Sequence, residues 1–252
     1  MKKTVLTIAG ICLGLLSNAT FASSAELDAK QILDRVDDVW RGDSAQGKMT
    51  MRVVTAHWTR ELKIEFWSKG KDKSLMRILA PKKEMGTTTL MVEHNIWNYL
   101  PKVKRVIKVP SSMMGGSWMG SHFTNDDLVK DSRMADDYTF EISFNGKQDR
   151  KNVIEITCIP NEDAAVVWGK IIVQVEQDTY LPTKMTYFNE DLEVARTMIF
   201  SDVRRMADRT IPAVATIIPA DEPKESTTVT YEEIAFDVPI QDNLFSKRSL
   251  ER

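Results

Sequence analysis

The residues with the most chemical promise lie between Pro110 and Lys130, in PSSMMGGSWMGSHFTNDDLVK. GGSWMG approaches the nucleophile elbow G-x-S-x-G, where a strained strand-to-helix turn exposes a serine. The register fails. With Gly115 first and Ser117 third, position five is Met119, and the glycine arrives one residue late at Gly120. The three histidines, His57, His94 and His122, show no metal-ligand spacing. Cys158 sits in the strand-like run VIEITCIP and reads as a buried, inert thiol. Asp126, Asp127, Asp131, Asp136 and Asp137 lack the alternating ligand pattern of a calcium loop and read as solvated helix and turn positions. There is no glycine-rich phosphate loop. These residues predict no catalytic centre, metal or cofactor.

The same stretch carries a different chemistry. Met113, Met114, Trp118, Met119 and Phe123 place five large apolar side chains in a glycine-rich segment. Loops are normally polar, because water satisfies their backbone groups. Methionine is unbranched and polarizable and suits surfaces that accept varied apolar partners. Gly115, Gly116 and Gly120 let the backbone bend between them. The segment reads either as a mobile lid over the mouth of an apolar cavity or as a static plug. Both need the same side chains.

The elements that position this segment are mostly strands. ELDAKQILDRVDDVWRG predicts an amphipathic helix, with Ile32, Leu33, Val36, Val39 and Trp40 at three- and four-residue spacing and Gly42 as its stop. From Gln46 the period changes to two. KMTMRVVTAHW, ELKIEFWSK and KSLMRILAP are strands, and GTTTLMVEHNIWNYLP is a hairpin about His94-Asn95. That turn pairs Glu93 with Ile96, Val92 with Trp97 and Leu90 with Tyr99, placing Leu90, Val92, Trp97 and Tyr99 on one apolar face. KVKRVIKVP continues the sheet. Thr124 caps a short helix to about Met134, and strand signals resume from DDYTFEISF to STTVTYEEIAF. About ten or eleven strands with short connections predict a large, curved antiparallel sheet, open or closed. Such a sheet encloses more space than its own side chains fill. Its expected cavity lining is Trp58, Ile64, Phe66, Met76, Ile78, Leu90, Val92, Trp97 and Tyr99, with an ordinary filled core as the alternative for each.

The first residues, MKKTVLTIAGICLGLLSNATFASSA, have the layout of a cleaved secretory leader: two lysines, a short apolar run, then small residues. Cleavage falls after Ala22, or as late as Ala25. Removing 22 of the 252 residues leaves 230, enough for one domain over 23–252. The chain has 34 basic and 36 acidic residues; losing Lys2 and Lys3 makes the formal charge about −4. No basic excess points to nucleic acid.

The ILDRVDD helix, the block WNYLPKVKRVIKVPSSMMGGSWMGSHFTNDDLVKD and the closing DNLFSKRSLER resemble the outer-membrane lipoprotein-sorting family, and more narrowly its LolA-like periplasmic proteins. The resemblance covers nearly the whole mature chain. It implies a mainly β fold, an unclosed antiparallel barrel with an N-terminal helix and a short helical lid. It implies a non-enzymatic periplasmic carrier that holds a lipid or lipoprotein acyl chains. An inner-membrane transporter or an outer-membrane acceptor would be its partner. Met113, Met114, Trp118, Met119 and Phe123 would then form the lid or rim. The family's best-known carriers also hold the lid closed with an arginine bonded to backbone. Arg52, Arg77 and Arg105 lie near strands here, and none is singled out. A binding module that docks on a transporter or sensor without carrying cargo is the alternative.

Overall fold

The computed structural model describes residues 28–130, 137–164 and 166–251. The expected leader, and the end of the second helix at Met134, lie outside the described residues.

The strands are β1 (Ser44–Val54), β2 (Thr59–Lys69), β3 (Lys73–Ala80), β4 (Thr88–Val92), β5 (Asn95–Leu100), β6 (Arg105–Lys108), β7 (Tyr138–Gln148), β8 (Lys151–Pro160), β9 (Lys170–Glu176), β10 (Pro182–Phe188), β11 (Val194–Met206), β12 (Arg209–Pro219) and β13 (Ser226–Phe236). They form one antiparallel sheet in the order β6-β5-β4-β3-β2-β1-β13-β12-β11-β10-β9-β8-β7. The count is thirteen rather than ten or eleven. The segments read as strands from sequence each form one, and the hairpin segment supplies two. Two meanders thus meet where the first strand pairs with the last. The sheet is open: β6 and β7 are its opposite edges.

That topology dictates the path of the connection between β6 and β7. It must cross from one edge of the sheet to the other. It carries two 3₁₀ turns, at Ser111–Met113 and Trp118–Gly120, and helix α2 (Asn125–Lys130). A flat sheet of thirteen strands would be ~58 Å wide at ~4.8 Å per strand. Residues of β1–β3 and β10–β13 line one common cavity, so the sheet curls about this crossing segment.

Helix α1 (Ala29–Asp38) lies on the same face. Asp28 accepts the Gln31 backbone N–H (2.8 Å), and the Gln31 side chain accepts the Asp28 N–H (3.0 Å). This reciprocal cap stabilises the helix start by about 1 kcal/mol. Gly42, at φ +57°, ends the turn as expected. Ile32, Leu33 and Val36 are buried against β8–β12, while Val39 and Trp40 pack with β1, β2 and β13. Trp40 stacks on Phe200 (5.2 Å) and donates to the Pro212 carbonyl (3.0 Å).

The β4–β5 turn is Glu93-His94, not His94-Asn95. Val92 pairs with Asn95, Leu90 with Trp97 and Thr88 with Tyr99. Glu93 takes the left-handed conformation, at φ +54°. The slip is two residues in register, so side-chain parity survives. Leu90, Val92, Trp97 and Tyr99 do share a face. That face, however, is covered by the C-terminal segment. Phe245 and Leu250 pack there against Leu75 and Leu90. Lys247 lies 5.0 Å from the Trp97 ring, and Arg77 donates to the Ser249 carbonyl (3.1 Å).

Candidate functional site

The opposite face of β1–β3 and β10–β13 encloses a cavity of about 180 Å³. Alternation builds its walls. β2 sends Leu62, Ile64 and Phe66 to this face, and β3 sends Met76 and Ile78. From the other meander come Met185 of β10, Met198 and Phe200 of β11, and Tyr231 of β13. Val36 of α1 and Trp40, just past its end, complete one side of the roof, and Trp118, Phe123 and Leu128 of the crossing segment the other.

Of the lining expected from sequence, Phe66 and Met76 reach the cavity. Ile64 and Ile78 share their face but are packed into the adjoining core, 1% and 3% exposed. Trp58 stands in the β1–β2 turn, 43% exposed, under the Arg60 guanidinium. Leu90, Val92, Trp97 and Tyr99 lie on the far side of the sheet and do not line the cavity. In the crossing segment, Trp118 and Phe123 line it, and Met119 packs against the same core. Met114 turns away onto Met91 and Ile96, and Met113 is exposed. The contribution of α1 and β10–β13 escaped the sequence reading. The signal available was parity: Met185 and Tyr187 alternate on β10, as Met198 and Phe200 do on β11.

Polar contacts fasten the roof. Trp118 Nε1 donates to Thr89 Oγ1 (3.1 Å), which donates to Asn98 Oδ1 (2.7 Å), so the buried indole is satisfied. Arg60 of β2 donates to the Met119 carbonyl and pairs with Glu84 (3.4 Å). Arg196 of β11 grips Asp127 by two bonds (2.6 and 2.8 Å) and donates to the His122 carbonyl (3.0 Å). The rings of Tyr187 and Trp168 flank its guanidinium at 4.2 and 4.4 Å. The arginines bonded to the backbone of the crossing segment are therefore Arg60 and Arg196, one on each meander; Arg77 bonds instead to the Ser249 carbonyl of the C-terminal segment. His122 is part-buried: Nδ1 lies 2.8 Å from Thr227 Oγ1 and Nε2 3.3 Å from Glu225. The Ala56 N–H and then His122 hold the Glu225 carboxyl below its usual range. Ser117 Oγ donates to the Ser121 carbonyl. Among the described residues no acid, histidine or cysteine cluster could hold a metal, and no helix is long and apolar enough to cross a membrane.

The fold and site define a class: an open antiparallel sheet curled around a roofed apolar cavity. Three solved structures share the fold. A DUF1329 family protein from Desulfovibrio piger superposes with a TM-score of 0.80 at 19% identity, over 88% of this chain and 97% of that one. An outer membrane lipoprotein-sorting protein domain from Vibrio parahaemolyticus gives 0.76 at 21%, over 88% and 98%. A LolA superfamily protein from Nitrosomonas europaea gives 0.76 at 19%, over 88% and 99%. Residues 70–252 match the model of a family whose description reads "Uncharacterized protein", and the chain belongs to that family. No curated protein matches it. The LolA-like fold expected from the sequence is the fold observed.

Proposed function

We propose that the protein is a periplasmic carrier that shelters a lipid, or the acyl chains of a lipoprotein, from water. The observation that carries this reading is the roofed cavity, whose walls include Phe66, Met76, Met185, Met198 and Phe200. The mechanism is partition. Each buried methylene contributes roughly 0.8 kcal/mol, so about fourteen give ~11 kcal/mol gross, less the cost of opening the roof and ordering the chain. The cavity, about 180 Å³, is near the size of an apolar cavity of about 150 Å³ that holds benzene. It takes a piece of a chain as it stands. A whole chain requires the roof to rise and the methionines to repack, so the crossing segment works as a lid.

In this reading residues 1–22 are an export leader and 23–252 the working domain. Release needs a partner that offsets the partition energy, an inner-membrane transporter or an outer-membrane acceptor. Met85, Val103 and Met113, each more than half exposed, offer such a partner apolar contacts. The names of the structural neighbours, a lipoprotein-sorting domain and a LolA superfamily protein, support the same reading. The test is mass spectrometry of organic extracts from protein purified from the periplasm without detergent. Co-purifying lipid is expected, reduced in Trp118→Ala. Empty protein that takes up no fluorescent fatty acid overturns the proposal.

A further inference from the structure

The cavity wall is not uniformly apolar. Arg41, Ser68 and Ser74 also line it. Ser68 and Ser74 are paired across β2 and β3, next to the turn that joins these strands. In that turn the Gly70 N–H donates to the Asp43 carbonyl (2.9 Å), which draws the segment after α1, and Arg41 with it, to the same end of the sheet. The lid is fastened at the other end of β2, where Arg60 meets Met119. Arg60 to Ser68 spans ~26 Å at the rise of an extended strand. The cavity therefore has a polar end remote from its lid.

These three groups are uncommitted. Ser68 and Ser74 are each 8% exposed, yet neither hydroxyl bonds to a described residue. The Arg41 guanidinium has no ion pair or hydrogen bond among the described residues. Arg60 and Arg196, by contrast, are occupied with the lid. A hydroxyl that faces a cavity can bond to what the cavity holds. A planar guanidinium with two hydroxyl donors matches an oxyanion, whose oxygens accept several bonds at once. Two acids also line the wall: Asp127, gripped by Arg196, and Asp37, 5% exposed and one helical turn before Arg41. The negative end of α1 is also covered, since the Asp38 carbonyl accepts from Arg41 N, Gly42 N and Arg209 Nη1.

Resting on the carrier reading above, we propose that the cavity selects an amphiphile with an anionic polar end. A carboxylate or phosphate is held by Arg41, Ser68 and Ser74, and the hydrocarbon runs past Phe66 and Met76 toward Trp118.

Chain-matched ligands test this. Hexadecanoate, hexadecyl phosphate and hexadecanol compete against a neutral fluorescent hydrocarbon probe on the full mature chain. The two anions are expected to bind about tenfold tighter than the alcohol, the scale of one charge-assisted bond. Arg41→Gln removes the preference, read as the ratio of anion to alcohol affinity in the same variant. Arg41→Lys retains part of it, and circular dichroism confirms that both fold. Ser68→Ala with Ser74→Ala lowers anion affinity a few-fold. Inorganic phosphate alone does not displace the probe. Equal binding of alcohol and anions by the unmodified chain overturns this inference but leaves the carrier reading standing. So does a loss in Arg41→Gln that is the same for all three ligands. Displacement by inorganic phosphate overturns the amphiphile assignment. Failure of the probe and every ligand to bind overturns both proposals.

Discussion

At the scale of single residues, Arg196 ties the crossing segment to β11 by three hydrogen bonds. Its pair with Asp127 is 5% and 4% exposed. Removing one partner of such a pair leaves the other charged and buried, a loss of about 3–5 kcal/mol. Arg196→Met and Asp127→Asn should each cost that much in chemical denaturation, and the double variant less than their sum. Additive losses would show that the two are not coupled. Cys158 gives a second prediction. Burial, with the charge of Asp37 adding to it, pushes its thiol from 9.0 up to about 12. Native protein at pH 8 should resist alkylation, and the denatured chain should react at once. The folded thiol keeps a proton that the unfolded thiol releases. Stability should therefore fall as pH rises from about 9 toward 12, and Cys158→Ala should flatten that slope.

Among the elements, the crossing segment is pinned by Asn125, whose Nδ2 donates to the Met113 and Gly116 carbonyls (3.1 and 3.0 Å). Asn125→Ala removes both bonds at about 1 kcal/mol each. Hydrogen exchange over residues 111–121 should quicken while the amides of β2 stay protected. Uniform exchange in both would mean that the segment does not open by itself. Gly116→Pro should loosen the same segment, because it removes the N–H that donates to the Met113 carbonyl (3.0 Å). The strands themselves were legible: β9 alternates buried and half-buried positions throughout, and α1 shows its helical stripe in sequence. The face of β4 that meets the cavity side was not. Its first four residues, Thr88 to Met91, are all buried, so no alternation remains to read. Leu90 meets the C-terminal segment and Met91 the crossing segment, both distant in sequence. The apolar bulk of Pro110–Lys130 was visible, but its reason was not. It follows from strand order, which puts β6 and β7 at opposite edges and sends their connection over the cavity. Arg196 was hidden for the same cause, since its partner Asp127 is 69 positions away.

For the whole molecule, the consequence is a division of labour between the two faces of one sheet. The face toward α1 and the crossing segment keeps a cavity, while the far side of β3–β5 is sealed by the chain's own end. Phe245 and Leu250, 7% and 0% exposed, are the anchors of that seal. Truncating either to alanine should cost about 2–5 kcal/mol, since the contacts are lost and the space is only partly refilled. The cavity wall touches neither residue. Phe245→Ala and Leu250→Ala should therefore lower the melting temperature while leaving affinity for a hydrocarbon probe unchanged below the transition. Phe66→Ala, a change in the cavity wall, should alter that affinity. Trp97→Ala should behave like the tail variants, because its ring lies under Lys247 and not over the cavity. A loss of probe binding in Trp97→Ala or Leu250→Ala, with the fold intact, would mean that the faces are coupled and that the far side takes part in holding cargo.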